Sequence, residues 1–92
     1  MAIFVADHNL KDFDAWFEVF SANPPPDIGS WRLIRGIDDP NRVQVIGEMT
    51  GDEVADVREF LGSERMQKVF VAVNEMSISP VTFTWFDEVT PG

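Results

Sequence analysis

His8 is the only histidine of the chain and the residue best suited to acid–base chemistry. Imidazole titrates near neutral pH without help from its surroundings. His8 could therefore remove a proton from a phenol or from a carbon atom next to a carbonyl group. The alternatives are a ligand-binding role and a structural role, in which the ring forms a hydrogen bond with backbone at the start of the first helix. We take His8 as the candidate general base.

Arg32 and Glu48 form a second candidate pair, because they fall on two predicted strands joined by a short turn. As direct cross-strand neighbours they would form an ion pair, or Arg32 would hold an anionic or carbonyl group of a ligand. Gly47 could mark a bulge that turns Glu48 to the other face of the sheet. Uncharged groups that could orient a substrate are those of Gln44, Thr82 and Thr84.

The composition excludes several classes of function. Sixteen acidic and seven basic residues give a net charge of −9, which disfavours nucleic acid and anionic membrane surfaces as partners. Without cysteine, and with a single histidine, the chain has no ligand set for a structural zinc ion, and it has no glycine-rich phosphate loop. We therefore expect no metal and no cofactor.

Since no apolar run approaches the roughly 18 residues of a membrane span and the first residues do not resemble a signal peptide, we expect a cytoplasmic protein.

Hydrophobic periodicity and turn residues predict the order β-α-β-β-α-β within one domain, residues 1–92. Asp12 can cap the first helix, Thr50 and Glu53 have the spacing of a capping box before the second helical region, and Ser63 can cap its continuation. The predicted strands are 3–8, 30–37, 42–49 and 77–86, and the first helix is 12–21. The core side of that helix is formed by Phe13, Trp16, Phe17 and Phe20. The order is that of the ferredoxin-like α+β fold, a four-stranded antiparallel sheet with the helices on one face.

Alternation along the strands sorts the side chains into two faces. We predict that the helices cover an apolar face, formed by Ile3, Val5, Trp31, Leu33, Val43, Val45, Met49, Val81, Phe83 and Trp85. The other face would be mixed, with Phe4, Ala6, His8, Arg32, Ile34, Gln44, Ile46, Glu48, Thr82, Thr84 and Phe86. A monomer rarely exposes so much apolar surface, and a dry core rarely holds these polar groups. The pattern favours a homodimer whose facing sheets enclose a cavity.

Three stretches of the sequence resemble the dimeric α+β barrel superfamily, in particular its small antibiotic-biosynthesis-monooxygenase-like members. They are residues 8–16 (HNLKDFDAW), 38–43 (DDPNRV) and 60–66 (FLGSERM). The resemblance implies two sheets packed face to face into a barrel, with substrate held between sheet and helices or within the barrel. It also implies a range of activities, from cofactor-independent oxygenation of aromatic polyketides to cyclisation, isomerisation, haem degradation and dye-type peroxidation. The helix histidine that haem degradation uses has no counterpart in the second helical region.

Two kinds of function remain open from the sequence. The first is a cofactor-independent enzyme of the monooxygenase, cyclase or isomerase type, acting on an aromatic or polyketide-like substrate with His8 as general base. The second is a non-catalytic dimeric module for ligand binding, interaction or structure. The candidate substrate-binding residues are Arg32, Gln44, Glu48, Phe4, Ile34, Ile46, Thr82, Thr84 and Phe86.

Overall fold

The computed structural model describes residues 1–90 and consists of one four-stranded antiparallel sheet with the helices packed on one face. In chain order the elements are β1 (Ala2–Asn9), α1 (Phe13–Ala22), β2 (Ser30–Arg35), β3 (Arg42–Met49), a 3₁₀ turn (Gly51–Glu53), α2 (Val54–Leu61), α3 (Glu64–Glu75) and β4 (Thr82–Asp87). The strands lie in the order β2-β3-β1-β4. The predicted ferredoxin-like fold is confirmed, and none of the helices described is long and apolar enough to cross a membrane.

The helix starts follow the capping residues of the sequence. The Asp12 carboxylate accepts a hydrogen bond from the Asp14 N–H at 3.1 Å and caps α1. The Thr50 and Glu53 capping box precedes α2. The Ser63 hydroxyl caps α3, so the second helical region is two helices that meet at a short break. These caps satisfy N–H groups that have no partner within their helices.

The hairpin of β2 and β3 has a different register from the predicted one. Arg32 lies opposite Ile46 and not opposite Glu48. The loop is two residues longer than predicted, because the Gly36 N–H donates to the Arg42 carbonyl at 2.8 Å and the paired backbone ends there. A shift of two residues leaves every side chain of the hairpin on its predicted face.

Gly47 does not form a bulge. It pairs with Trp31 in an unbroken ladder, and a Cβ atom at this position would lie 2.6 Å from the Trp31 ring. The glycine therefore makes room for an indole that lies across β3. Glu48 consequently stays on the same face as Arg32.

The predicted faces of β1 are wrong. Phe4, Ala6 and His8 are buried beneath the helices, while Ile3 and Val5 lie on the opposite face. Both alternating sets at the start of β1 are apolar, so the pattern of the strand alone does not identify the buried side.

We use two names for the faces of the sheet. The helix face carries Phe4, Ala6, His8, Trp31, Leu33, Val43, Val45, Met49, Phe83 and Trp85. The open face carries Ile3, Val5, Asp7, Arg32, Ile34, Arg42, Gln44, Ile46, Glu48, Thr82, Thr84 and Phe86. Aromatic packing shows why Phe4 belongs to the helix face, since its ring centroid lies 4.9 Å from that of Trp85 and 5.8 Å from that of Phe83.

Candidate functional site

A cavity of about 70 Å³ lies between the helix face and the helices. Its walls are aromatic and aliphatic side chains from all four strands and from α1, α2 and α3, together with Pro25 and Pro26 of the segment after α1. The polar residues that line it are His8 and Asn23. An apolar cavity with few convergent polar groups is the usual form of a small-molecule site.

His8 is held firmly in the wall of this cavity. The residue is 5% exposed, and its Nδ1 lies 3.3 Å from the carbonyl oxygen of Val43. A carbonyl oxygen only accepts, so Nδ1 carries the proton of the neutral ring and the Nε2 lone pair remains able to accept one. The ring also packs against the edge of Trp16, with 5.0 Å between the centroids.

Backbone hydrogen bonds on both sides fix the end of β1 that carries His8. The Leu10 N–H donates to the Asn41 carbonyl at 2.8 Å, and the Ile78 N–H donates to the Asn9 carbonyl at 2.7 Å. The β2–β3 loop and the segment after α3 therefore both anchor this end of the strand.

The environment of His8 favours the neutral imidazole. Burial lowers the pKa of His8 below its ordinary value of 6.5. The hydrogen bond to the Val43 carbonyl, the nearby Ala6 carbonyl and the charge of Asp7 oppose this only in part. A histidine that is neutral at pH 7 is in the form that acts as a base.

The structure separates the predicted site residues into two groups. His8 and Phe4 line the cavity. The other candidates lie on the open face, on the far side of the sheet from His8; they are Arg32, Ile34, Gln44, Ile46, Glu48, Thr82, Thr84 and Phe86. Gln44 and Thr82 lie beside the end of β1, but the residue that pairs with both is Asp7, so the His8 side chain lies on the other face of the sheet.

The predicted ion pair between Arg32 and Glu48 is present at 3.6 Å, and both side chains are well exposed. Sequence reasoning missed the shorter pair beside it. Arg42 Nε donates to Asp7 Oδ1 at 3.0 Å, and Arg42 Nη2 donates to Asp7 Oδ2 at 2.8 Å. The hydrogen bonds from Arg42 lower the pKa of the Asp7 carboxyl group. If the alternation of side chains in β1 had been assigned with Asp7 on the open face, the sequence would have predicted that Asp7 and Arg42 lie close together.

Sequence reasoning also assigned Trp16, Trp31 and Phe83 to packing alone, whereas all three line the cavity. Within residues 1–90, no group of three or more histidine, aspartate or glutamate side chains is arranged to hold a metal ion.

Comparison with known proteins gives structural relatives only. The sequence matches no protein-family model, and no curated protein matches it. An antibiotic biosynthesis monooxygenase superimposes with a TM-score of 0.74 at 16% identity, over 98% of this chain and all of the other. An asparagine-to-alanine variant of SnoaB, a cofactor-independent oxygenase from Streptomyces nogalater, gives 0.72 at 16% identity, over 98% of this chain and 94% of the other. A conserved protein from Methanosarcina mazei Go1 gives 0.79 at 8% identity, over 96% and 92%.

These likenesses cover nearly the whole chain. They show that the protein has the fold of the antibiotic-biosynthesis-monooxygenase-like proteins, as the resemblance of the three sequence stretches indicated. Because one fold hosts many activities, function has to be argued from the cavity itself.

Proposed function

We propose that the protein binds a small aromatic or polyketide-like molecule in the cavity between sheet and helices, and that it is a cofactor-independent enzyme with His8 as general base. The observation that carries the proposal is the placement of His8, a buried and neutral imidazole in the wall of a largely apolar cavity. The known activity of SnoaB, a structural relative, is consistent with it.

In the proposed mechanism, Nε2 of His8 takes a proton from a phenol or from an acidic C–H group of the substrate. The resulting anion is delocalised over the aromatic system and lies beside the imidazolium, where their attraction is strong because the cavity excludes most water. In the monooxygenase reaction, dioxygen adds to the carbanion to give a hydroperoxide, which loses water and leaves a carbonyl group, so that the substrate itself supplies the electrons. Ring closure, or return of the proton at another carbon atom, completes the cyclase or isomerase reaction.

Arg32 and Gln44 have no part in this mechanism within one chain, because the sheet separates them from His8. That separation favours one alternative, a non-catalytic binding module that uses the same cavity without turnover. The two proposals differ in whether any bound compound is converted.

We also propose that the open face is a homodimer interface. Ile34 is 45% exposed and Phe86 is 52% exposed, and Ile3, Val5 and Ile46 lie between them on the same face. The ion pairs Arg32–Glu48 and Asp7–Arg42 lie on this face as well. The interface of an obligate dimer of this kind should bury about 2,000 Å² or more.

The test of the enzyme begins with aromatic and polyketide-like compounds that raise the melting temperature of the wild-type protein. Their conversion is then followed by product analysis and oxygen uptake. We expect His8→Ala and His8→Gln to lower kcat by about 10²- to 10⁴-fold, since neither side chain can take a proton. Because burial lowers the pKa of His8, wild-type activity should rise with pH to a plateau with a midpoint below 6.5.

Ser77→Ala is the matched control. Ser77 is the other buried polar residue of the described chain. Its hydroxyl donates to the Val73 carbonyl, and Ser77 itself does not line the cavity. It should keep wild-type turnover. Near wild-type turnover in His8→Ala would leave His8 a structural residue and refute the mechanism, while binding without turnover in the wild type would favour the binding module.

A further inference from the structure

The inner cavity adjoins a larger surface groove, and some side chains line both. The groove has a volume of about 580 Å³ and runs between the end of α2, the outer side of α3 and the edge strand β4. Phe4, Leu61, Phe70 and Phe83 line both spaces. The rings of Phe70 and Phe83 are in contact, with centroids 4.9 Å apart. Phe83 is half exposed, so its side chain is freer to change rotamer than the buried Phe4 on which it stacks.

The inner cavity alone is too small for an aromatic ligand. Its volume of about 70 Å³ is well below the roughly 300–1,000 Å³ of ordinary ligand pockets. A ligand that reaches His8 must therefore displace the side chains of Phe70 and Phe83, which line both spaces, and extend into the groove. The groove then determines what the outer end of the ligand can be.

One cationic side chain, Arg58, lines this groove. Its guanidinium lies over the ring of Trp85, 5.0 Å from the centroid, a cation–π contact that favours one position of the side chain. The chain has seven basic residues. Six of them make a hydrogen bond or an ion pair within residues 1–90, namely Lys11, Arg32, Arg35, Arg42, Arg65 and Lys68.

Arg58 is the seventh, and its N–H groups have no acceptor within the part of the chain that the structure describes. Among the described residues, no aspartate or glutamate lines the groove with it. A planar guanidinium with its donors unused matches the two oxygens of a carboxylate.

We propose that Arg58 selects ligands that carry an anionic group, an aromatic carboxylate being the best match. The aromatic part of the ligand would displace the side chains of Phe70 and Phe83 and approach His8. The carboxylate would remain in the groove and bind Arg58. The inference rests on the proposed binding of an aromatic ligand in the cavity, and it adds the chemistry of the outer end. Arg58 is a specificity residue in this scheme and takes no part in proton transfer.

The experiment compares two probes of equal ring size, 2-naphthoate and 2-naphthalenemethanol, by calorimetric titration at pH 7.5 and low salt. Wild-type protein should bind the acid more tightly than the alcohol. Arg58→Gln should weaken binding of the acid by about 10-fold or more, because a charge-assisted hydrogen bond is lost, and should leave the affinity for the alcohol unchanged. Arg58→Lys, which keeps the charge, should retain part of the preference.

Lys68→Gln is the matched control, since it makes the same change of charge on α3 at a residue paired with Glu64 and outside the groove lining. It should bind both probes as the wild type does. Equal affinity of the acid for wild type and Arg58→Gln would overturn the proposal, as would equal losses for acid and alcohol. If the alcohol binds and the acid does not, the Arg58 proposal fails while cavity binding stands. If neither probe binds the wild type, both fail.

Discussion

The helix face and the open face belong to the same sheet but give polar side chains opposite environments, one buried and one exposed to water. On the helix face, His8 is the polar residue that faces the cavity, and its burial shifts the pKa of the ring toward the neutral form. On the open face, charged side chains pair with one another in water, and Arg42 stabilises the charged form of Asp7. The first environment suits proton transfer, and the second suits an interface that needs a fixed register.

The same contrast holds for energies. Exposed ion pairs such as Arg32–Glu48 typically contribute about 0–1 kcal/mol each. Burial of large aromatic side chains on the helix face contributes several times more per residue. The stability of the single chain should therefore depend on the helix face, and its assembly on the open face.

Trp16→Ala tests the first part of this comparison and should have the largest effect. Trp16 is 1% exposed and packs against Phe20 and His8, with centroids 5.1 and 5.0 Å away. Loss of the indole leaves a cavity, and we expect the free energy of unfolding to fall by about 3–5 kcal/mol, measured by urea denaturation. Phe17→Ala on the same helix is the control, because Phe17 is 42% exposed and should cost about 1 kcal/mol or less. Equal losses in the two variants would show that α1 faces elsewhere.

Ile46→Glu tests the second part. Ile46 lies in the middle of the open face, opposite Val5 and Arg32. Arg32 is already paired with Glu48, so the substitution places one excess carboxylate from each subunit in the proposed interface. An unpaired buried charge costs several kcal/mol, and the dimer dissociation constant should rise by about 100-fold or more, measured by sedimentation equilibrium.

The control for this experiment is Ile37→Glu, the same substitution at a fully exposed residue of the β2–β3 loop. It should leave the molecular mass unchanged. A wild-type protein that is monomeric at micromolar concentration would contradict the dimer, and a dimer that survives Ile46→Glu would place the interface on another surface.

The fold was predictable from the sequence because each element carries its own signal. Asp12, the Thr50–Glu53 box and the hydroxyl of Ser63 each mark the start of a helical segment, and the element order then leaves few topologies. The faces of the β2–β3 hairpin were also predictable, since an error of two residues in register does not change a face.

The site was less predictable because it depends on which alternating set of β1 side chains faces the helices. In that central strand Ile3 and Phe4 are both apolar, so the side with His8 is decided by packing against the neighbouring strands. The ring of Phe4 fits beside Trp31 above Gly47, where the helix face has room for it. Such a fit is a tertiary property that local alternation does not express.

The smallest expected effect is on the pH dependence of the free energy of unfolding, which should differ between the two faces. The pKa of His8 lies below its unfolded value of 6.5, so the unfolded chain binds a proton first and stability falls as pH decreases below about 6.5. The slope cannot exceed about 1.4 kcal/mol per pH unit for one proton.

The pKa of Asp7 is lowered from 3.8, so the stability that its pairing supplies is complete above that value and is lost only in more acidic solution. Urea denaturation at a fixed protein concentration between pH 7.5 and 5.5 should therefore show a decline that His8→Gln reduces. Asp7→Asn should not reduce it, because loss of the Asp7 charge lowers the pKa of His8 further. A decline that persists in His8→Gln would assign it to groups on the open face, and the contrast between the two faces would then not extend to their protonation.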